Sequence, residues 1–375
     1  MDEPLYSLKK KIEDLDLEGE WEYLKRTSNP YELVYSQSHD MRIPYSVCSL
    51  RPLSRSYFKM VEILNVLNFF KRHVGKKTIL RSAHVCEGPG GFIEALLSLS
   101  AKTSTPLKDA WAMTLKPSKA NIPGWKRAYN FLKKNPQIHI EYGADETGDI
   151  MIPENQNAFL EKTGGKCLLY TADGGFDFSD NYDTQEDEVF PLLVSSALIG
   201  LQTLQFGGDF VLKVFDTELK ATQDLIAMLA YCFDDWTLYK PSLSRPCNAE
   251  KYFLGRGSRV IPQWIITSLS DICEMYHSGQ GMLISDALDH GVSNVHNGIF
   301  IRSILSSLPI SIKNDIVSLK DYYLNQQIEA LRYALLKSKE WNKDPNTIWK
   351  LIYKHSMEWC AEFKMPIRAD HQVVA

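Results

Sequence analysis

No stretch of this 375-residue sequence is apolar over the about 20 residues that a membrane-spanning helix requires. No two cysteines are spaced C-x-x-C, and the seven thiols are scattered and odd in number. A disulfide framework or a zinc ribbon is thereby excluded, and a reducing, intracellular compartment fits, cytoplasmic or nuclear. The opening MDEPLYSLKKKIEDLDL is charged and lacks the apolar centre of a signal peptide. Internal repeats and low-complexity tracts are also missing. So is a basic excess: 42 Lys and Arg face 46 Asp and Glu, a net charge of −4. A histone-like protein is ruled out, while a local basic patch for nucleic acid is not. Hydrophobic residues, at 44%, suffice for a core and exclude wholesale disorder.

What is present is alternation. Phe58, Val61, Leu64 and Leu67 recur at helical spacing, predicting a helix over 55–73. Strand-like runs follow at 78–86, 110–115, 137–142, 166–172 and 209–215, closed by 236–240 and 252–254. Helix-like segments separate them at 92–99, 123–132, 189–206 and 218–232. This pattern predicts an α/β fold, an open sheet with helices on both faces, whose ligand lies outside the carboxyl ends of the strands. The expected organisation is an N-terminal extension at 1–54 with a short helix in 1–17, a sheet domain at 55–257, and a mainly helical region at 258–375. The helices at 321–339 and 347–363 are a candidate surface for a protein partner, and the chain from about 366 is expected to be loose.

Glu87-Gly88-Pro89-Gly90-Gly91-Phe92 stands where the first strand becomes a helix. Glycines there allow close backbone approach to a ligand, and the helix start offers free N–H groups. The G-x-G-x-x-G spacing of a dinucleotide site is absent, because Ile93 stands three after Gly90. The G-x-x-x-x-G-K-[ST] phosphate loop is absent as well. What remains is an acid followed by close glycines, an arrangement suited to S-adenosylmethionine, whose ammonium the acid neutralises. A plain tight turn is the competing explanation.

Four charged residues sit where apolar ones are expected: Lys59 early in a helix, Asp173 at a strand end, Lys213 within Val-Leu-Lys-Val-Phe, and Glu250 at a strand start. Each alone has a plain explanation: an exposed position for Lys59, Lys213 and Glu250, and a turn former for Asp173. Together they compose a Lys-Asp-Lys-Glu set in which a lysine of depressed pKa accepts a proton from an alcohol. Such chemistry requires no metal.

The segments Cys86–Phe92, Ala172-Asp173-Gly174-Gly175 and Lys213 resemble the FtsJ-like ribose 2′-O-methyltransferases. Met113-Thr114-Leu115-Lys116, Gly148-Asp149-Ile150 with Pro153-Glu154-Asn155, and Lys240-Pro241 with Ser244-Arg245-Pro246, Asn248, Glu250 and Tyr252 are similar to a eukaryotic and large-DNA-virus branch acting on capped mRNA. The resemblance implies a Rossmann-like methyltransferase sheet, S-adenosylmethionine as cofactor and capped RNA as substrate. It implies a tetrad of Lys59, Asp173, Lys213 and Glu250, with Lys213 as general base. It implies that Glu87, Gly88 and Gly90 line the methionine end of the cofactor, within a loop that includes Pro89, Gly91 and Phe92, and that Asp149 meets the adenine. Leu115-Lys116 replaces the acid that many methyltransferases place after the second strand.

Between Trp111 and Ile140 there is no Asp or Glu, while Lys116, Lys119, Lys126, Arg127, Lys133 and Lys134 fall within it. This stretch and Arg245 are the candidate RNA contacts. The run 173–188 holds seven acids and no base, and past Asp173 it is expected to be a solvated loop. Trp21, Tyr31, Tyr35, Tyr45 and Trp125 are equal candidates for stacking a cap guanine. Two alternatives stand beside the cap reading: methylation of internal ribose in ribosomal or transfer RNA, and a capping-associated regulatory module.

Overall fold

The computed structural model describes the chain except for residues 1–4, 18, 37–39, 74, 76–77, 118–123, 176–184, 280–291, 296–297, 302, 308, 339–344 and 370–375. It opens with helices α1 (Leu5–Leu17), α2 (Trp21–Thr27), α3 (Ser56–Val66) and α4 (Phe69–His73). Then β1 (Leu80–Val85), α5 (Gly91–Ser100), β2 (Leu107–Met113), α6 (Tyr129–Lys134), β3 (Ile138–Glu141), α7 (Pro153–Thr163) and β4 (Cys167–Ala172) alternate. They are followed by α8 (Gln185–Thr203), β5 (Leu204–Val214), α9 (Lys220–Tyr231), β6 (Phe233–Tyr239) and β7 (Lys251–Ser258). Last come α10 (Gln263–Ser278), the hairpin β8 (Val292–Val295) and β9 (Gly298–Ile301), α11 (Ile310–Ser338) and α12 (Pro345–Glu362).

Two compact units result: residues 1–62, 240–249 and 321–375, and residues 63–239 and 250–320. The second holds a seven-stranded sheet of order β3-β2-β1-β4-β5-β7-β6. β1 to β5 pair in parallel, whereas β7 runs antiparallel to both β5 and β6. β4 is buried at every position, as a central parallel strand covered on both faces must be. Strand order reverses at β1, between β2 and β4, and open α/β sheets bind ligands at such a point.

Sequence and structure part in a few places. The expected helix over 55–73 breaks at Asn68, whose φ of 50° lies in the left-handed region, where asparagine is tolerated. The apolar run to Phe206 leaves the helix at Thr203, and its last residues open β5 instead. The region after 258 contains a hairpin as well as helices. Of the tail expected to be loose, residues 370–375 lie outside the described ones, and residues 366–368 are tied: Ser49 N–H donates to the Pro366 carbonyl at 2.8 Å and Arg368 N–H to that of Val47 at 3.0 Å.

In the first unit Leu8 and Ile12 of α1 pack with Cys247, Leu331 and Ala334. Phe58 meets Trp359 of α12 edge-on at 5.8 Å. Glu32 is wholly buried, and three arginines answer it: Arg55 at 2.9 Å, Arg245 at 3.1 Å and Arg26 at 3.3 Å. Their charges hold its carboxyl below the ordinary value despite the opposing pull of burial.

Candidate active site

β1, β4 and β5 bring their carboxyl ends to one edge of the sheet. Because β7 is antiparallel, its amino end reaches the same edge: Lys213 pairs with Tyr252 and Val214 with Lys251. Glu250, one residue before β7, is thereby set beside the end of β5, although 37 positions separate it from Lys213. Lys213 Nζ lies 3.2 Å from Asp173 Oδ1 and 3.9 Å from Glu250 Oε2. Tyr252, fully buried, donates its hydroxyl to the same Asp173 oxygen at 2.7 Å. Three of the four charged residues singled out in the sequence thus meet in the second unit. Lys59 belongs to the first unit, half-buried on α3.

Burial acts to lower the Lys213 pKa, but Asp173 and then Glu250 raise it, and the net result stands above the ordinary lysine value. This corrects the expectation of a depressed lysine. The charges nearest Nζ are carboxylates, and they outweigh desolvation.

The glycine loop leaves β1 beside this cluster. Gly90 caps α5 with a φ of 101°, a conformation that side chains rarely adopt. Glu87 is buried and accepts a hydrogen bond from Thr171 on Oε1, while its Oε2 accepts none among the described residues. Burial raises the Glu87 pKa, and His84 and Thr171 counter only part of that shift. Gly88 and Pro89 are half-exposed, whereas Gly91 and Phe92 are buried. Phe92 packs on Tyr252 at 5.8 Å, so its side chain supports the loop from the core rather than lining it.

Asp149 sits across the edge, in a turn after β3. Its Oδ1 accepts the Met151 N–H at 2.9 Å. The turn hangs on Asn155, wholly buried, whose amide donates to Asp145 Oδ1 at 2.8 Å, Thr147 Oγ1 at 3.3 Å and the Asp149 carbonyl at 2.9 Å. Gly148, with φ at 73°, fits against the Thr114 carbonyl, where a Cβ would collide. Lys116 N–H donates to the Thr147 carbonyl at 2.7 Å and joins the turn to the end of β2.

The RNA candidates divide. Lys126 and Arg127 are exposed on a 3₁₀ turn, Trp125–Ala128. Trp125 itself is buried, which removes it from stacking on a base, and Tyr35 is buried too. Lys116 pairs with Glu146 at 2.9 Å and lies over the Tyr142 ring. Lys119 lies outside the described residues. Arg245 is turned to Glu32 by two hydrogen bonds, at 3.3 and 3.1 Å, because a buried carboxylate requires its counter-charge. Its guanidinium is a structural tie to Glu32. In the acidic run, residues 176–184 lie outside the described ones. Glu186, expected in a solvated loop, instead accepts the N–H groups of Glu218 and Leu219 at 3.1 and 3.0 Å. Among the described residues no group of three or more His, Cys, Asp and Glu is placed to hold a metal ion, and no helix is long and apolar enough to cross a membrane.

Sequence reasoning missed the parts played by Tyr252, Asn155, His84 and Thr171. Tyr252 was named only as one residue of a motif, with no role, Thr171 read as an ordinary strand residue, and only strand pairing shows what they face. His84 carried a signal that could have been used: a histidine inside an apolar strand, two residues after a serine.

The model of the FtsJ-like methyltransferases matches residues 52–258, more than half of the sequence. The chain belongs to that family. Among its relatives, the cap-specific mRNA (nucleoside-2′-O-)-methyltransferase 1 of Xenopus laevis is 33% identical over 260 residues, 64% of this chain and 28% of that protein. The mouse protein of the same name is 36% identical over 188 residues, 48% of this chain and 22% of that one. A probable methyltransferase of African swine fever virus is 30% identical over 221 residues, 54% of this chain and 49% of the viral protein. The chain therefore spans from about a quarter to about half of the length of these relatives. In this FtsJ-like sheet the Lys213 cluster, the glycine loop and the Asp149 turn share the carboxyl edge.

Proposed function

We propose that the chain transfers a methyl group from S-adenosylmethionine to the ribose 2′-hydroxyl of a 5′-terminal transcribed nucleotide of capped mRNA, converting cap-0 to cap-1. The observation that carries this reading is Lys213, held between Asp173 and Glu250 at the sheet edge beside the glycine loop. The names of the relatives support the substrate class. The cofactor fits the residues present: Glu87 Oε2 is a buried acceptor suited to an ammonium, the loop backbone is open to close approach, and Asp149 is an acceptor for an exocyclic amine. Bound there, S-adenosylmethionine would supply an activated methyl on a positively charged sulfur.

Lys213 in its neutral form takes the 2′-hydroxyl proton onto Nζ as the ribose oxygen becomes the nucleophile. Asp173 and Glu250 aim Nζ and then hold the ammonium that forms. Tyr252 fixes the Asp173 carboxylate, so its orientation does not depend on Lys213 alone. Lys59 is the fourth member by resemblance. Lys126 and Arg127 engage phosphates.

Three matched short RNAs test this with labelled S-adenosylmethionine: cap-0, uncapped triphosphate, and cap-0 already methylated on the first ribose. Transfer to cap-0 RNA alone, at the first ribose, is expected. Transfer only to the pre-methylated RNA moves the target to the second nucleotide. Equal transfer to uncapped RNA favours internal ribose, and cofactor binding without transfer to any RNA favours a regulatory module. Lys213→Ala is expected to abolish transfer, about 10³-fold or more, with cofactor affinity nearly unchanged by calorimetry; surviving activity removes Lys213 as the base.

A further inference from the structure

Ser82, His84 and Thr171 are polar side chains at the centre of the sheet, each wholly buried. Ser82 and His84 lie two apart on β1, so they share a face, and His84 pairs with Thr171 across to β4. The catalytic reading uses none of them, yet they end at Glu87. His84 Nε2 lies 2.8 Å from Ser82 Oγ, and His84 Nδ1 lies 2.6 Å from Thr171 Oγ1. Thr171 Oγ1 in turn donates to Glu87 Oε1.

These contacts have a direction. A threonine hydroxyl holds one proton, and here it goes to Glu87. Thr171 Oγ1 must then accept, so His84 Nδ1 carries the imidazole proton and donates it. In a ring with one proton, Nε2 is then the acceptor for the Ser82 hydroxyl. All donors point towards the carboxylate. A proton on Glu87 would reverse the chain: Glu87 to Thr171, Thr171 to His84 Nδ1, and His84 Nε2–H to Ser82. The arrangement thus has two directions, set by the charge of Glu87.

The end of the chain is incomplete. Oε1 is bonded, while Oε2 accepts no hydrogen bond among the described residues, although His84 Nδ1 is 3.3 Å away. A buried carboxylate oxygen without a donor is costly unless a cation meets it. Burial accordingly raises the pKa of Glu87, with Asp173 adding to the rise.

We propose that Ser82, His84 and Thr171 form a hydrogen-bond relay that fixes Glu87 through one oxygen and presents the other to the ammonium of the cofactor's amino-acid arm. They are positioning residues, and the inference rests on the cofactor reading above. The relay selects for ligands that carry that arm.

Two thioether ligands separate the arm from the rest. S-adenosylhomocysteine has it, and 5′-methylthioadenosine presents the same adenosine and sulfur without it. Calorimetry on the full chain is expected to show Thr171→Val, which keeps the shape and loses the proton, weakening S-adenosylhomocysteine by about tenfold, the worth of one charge-assisted bond. Binding of 5′-methylthioadenosine should change by less than about twofold on the same scale. Thr171→Ser restores the hydroxyl and should restore the discrimination. In turnover, KM for S-adenosylmethionine should rise in Thr171→Val with kcat little changed. Equal weakening of both ligands, no weakening of either, or failure of Thr171→Ser to rescue overturns the relay and leaves the cofactor reading intact. Should Thr171→Val not fold, Ser82→Ala at the far end must show the same discrimination more weakly, and its absence overturns the relay. A wild-type chain that binds neither ligand overturns the cofactor reading and the relay with it.

Discussion

Lys213 carries a proton that the proposed chemistry requires it to lose. Asp173 and Glu250 raise its pKa, so its contribution to folding is complete below the unfolded lysine value of about 10.4 and is lost only as pH climbs through the raised folded value. The rate of transfer should therefore keep rising with pH well past neutrality. Glu250→Gln removes one of the two carboxylates. The rising limb of its pH–rate profile is expected to move to lower pH by about one unit, and a limb that stays in place removes Glu250 from tuning the base. Glu87 is the opposite case. Burial raises its carboxyl pKa, so ionising Glu87 costs the folded chain more than the unfolded one, and that cost is carried at pH values above the raised folded value. Glu87→Gln should raise the melting free energy by about 1 kcal/mol while weakening S-adenosylhomocysteine. In the wild type that ligand should weaken as pH falls, beginning above the usual glutamate range, and the variant should lose this dependence.

At the scale of elements, the adenine side depends on one turn. Asn155 at the start of α7 gathers Asp145, Thr147 and Asp149, and Gly148 allows the turn to lie on the end of β2. Asn155→Ala leaves those partners unanswered and should destabilise the fold by about 2 kcal/mol. It should weaken S-adenosylhomocysteine and 5′-methylthioadenosine alike, because the adenosine end is common to both. Discrimination between them would place the turn at the wrong end of the cofactor. The strands, the glycine loop and Lys213 were legible from the alternation of apolar runs and turn residues. Lys213 stood out because a charge interrupted a β-branched run. Thr171 did not, and Tyr252 stood out only as a motif residue without a role, because threonine and tyrosine are normal strand residues, and what they face depends on which strand lies beside them. The tie of Arg245 to Glu32 was not legible for a related reason: the two are 213 positions apart.

At the scale of the whole molecule, net charge says little about where RNA goes. The basic stretch without acids presents Lys126 and Arg127 outward. Reversing both to glutamate should weaken RNA binding and reduce the salt slope by about two; unchanged binding would take this turn out of the RNA path. The architecture also assembles distant pieces. Residues 1–62, 240–249 and 321–375 make one unit, a grouping that no composition shift along the chain announces.

By itself the sequence determined the order of strands and helices, the glycine loop and the residue types available for catalysis, because hydrophobic period and turn chemistry are local properties. Only the tertiary structure decided that β7 runs antiparallel and sets Glu250 beside Lys213, that carboxylates hold that lysine protonated, and that a serine, a histidine and a threonine converge on Glu87. Register, burial and the sign of a pKa shift depend on neighbours that are far away along the chain, and chain order carries no measure of that distance.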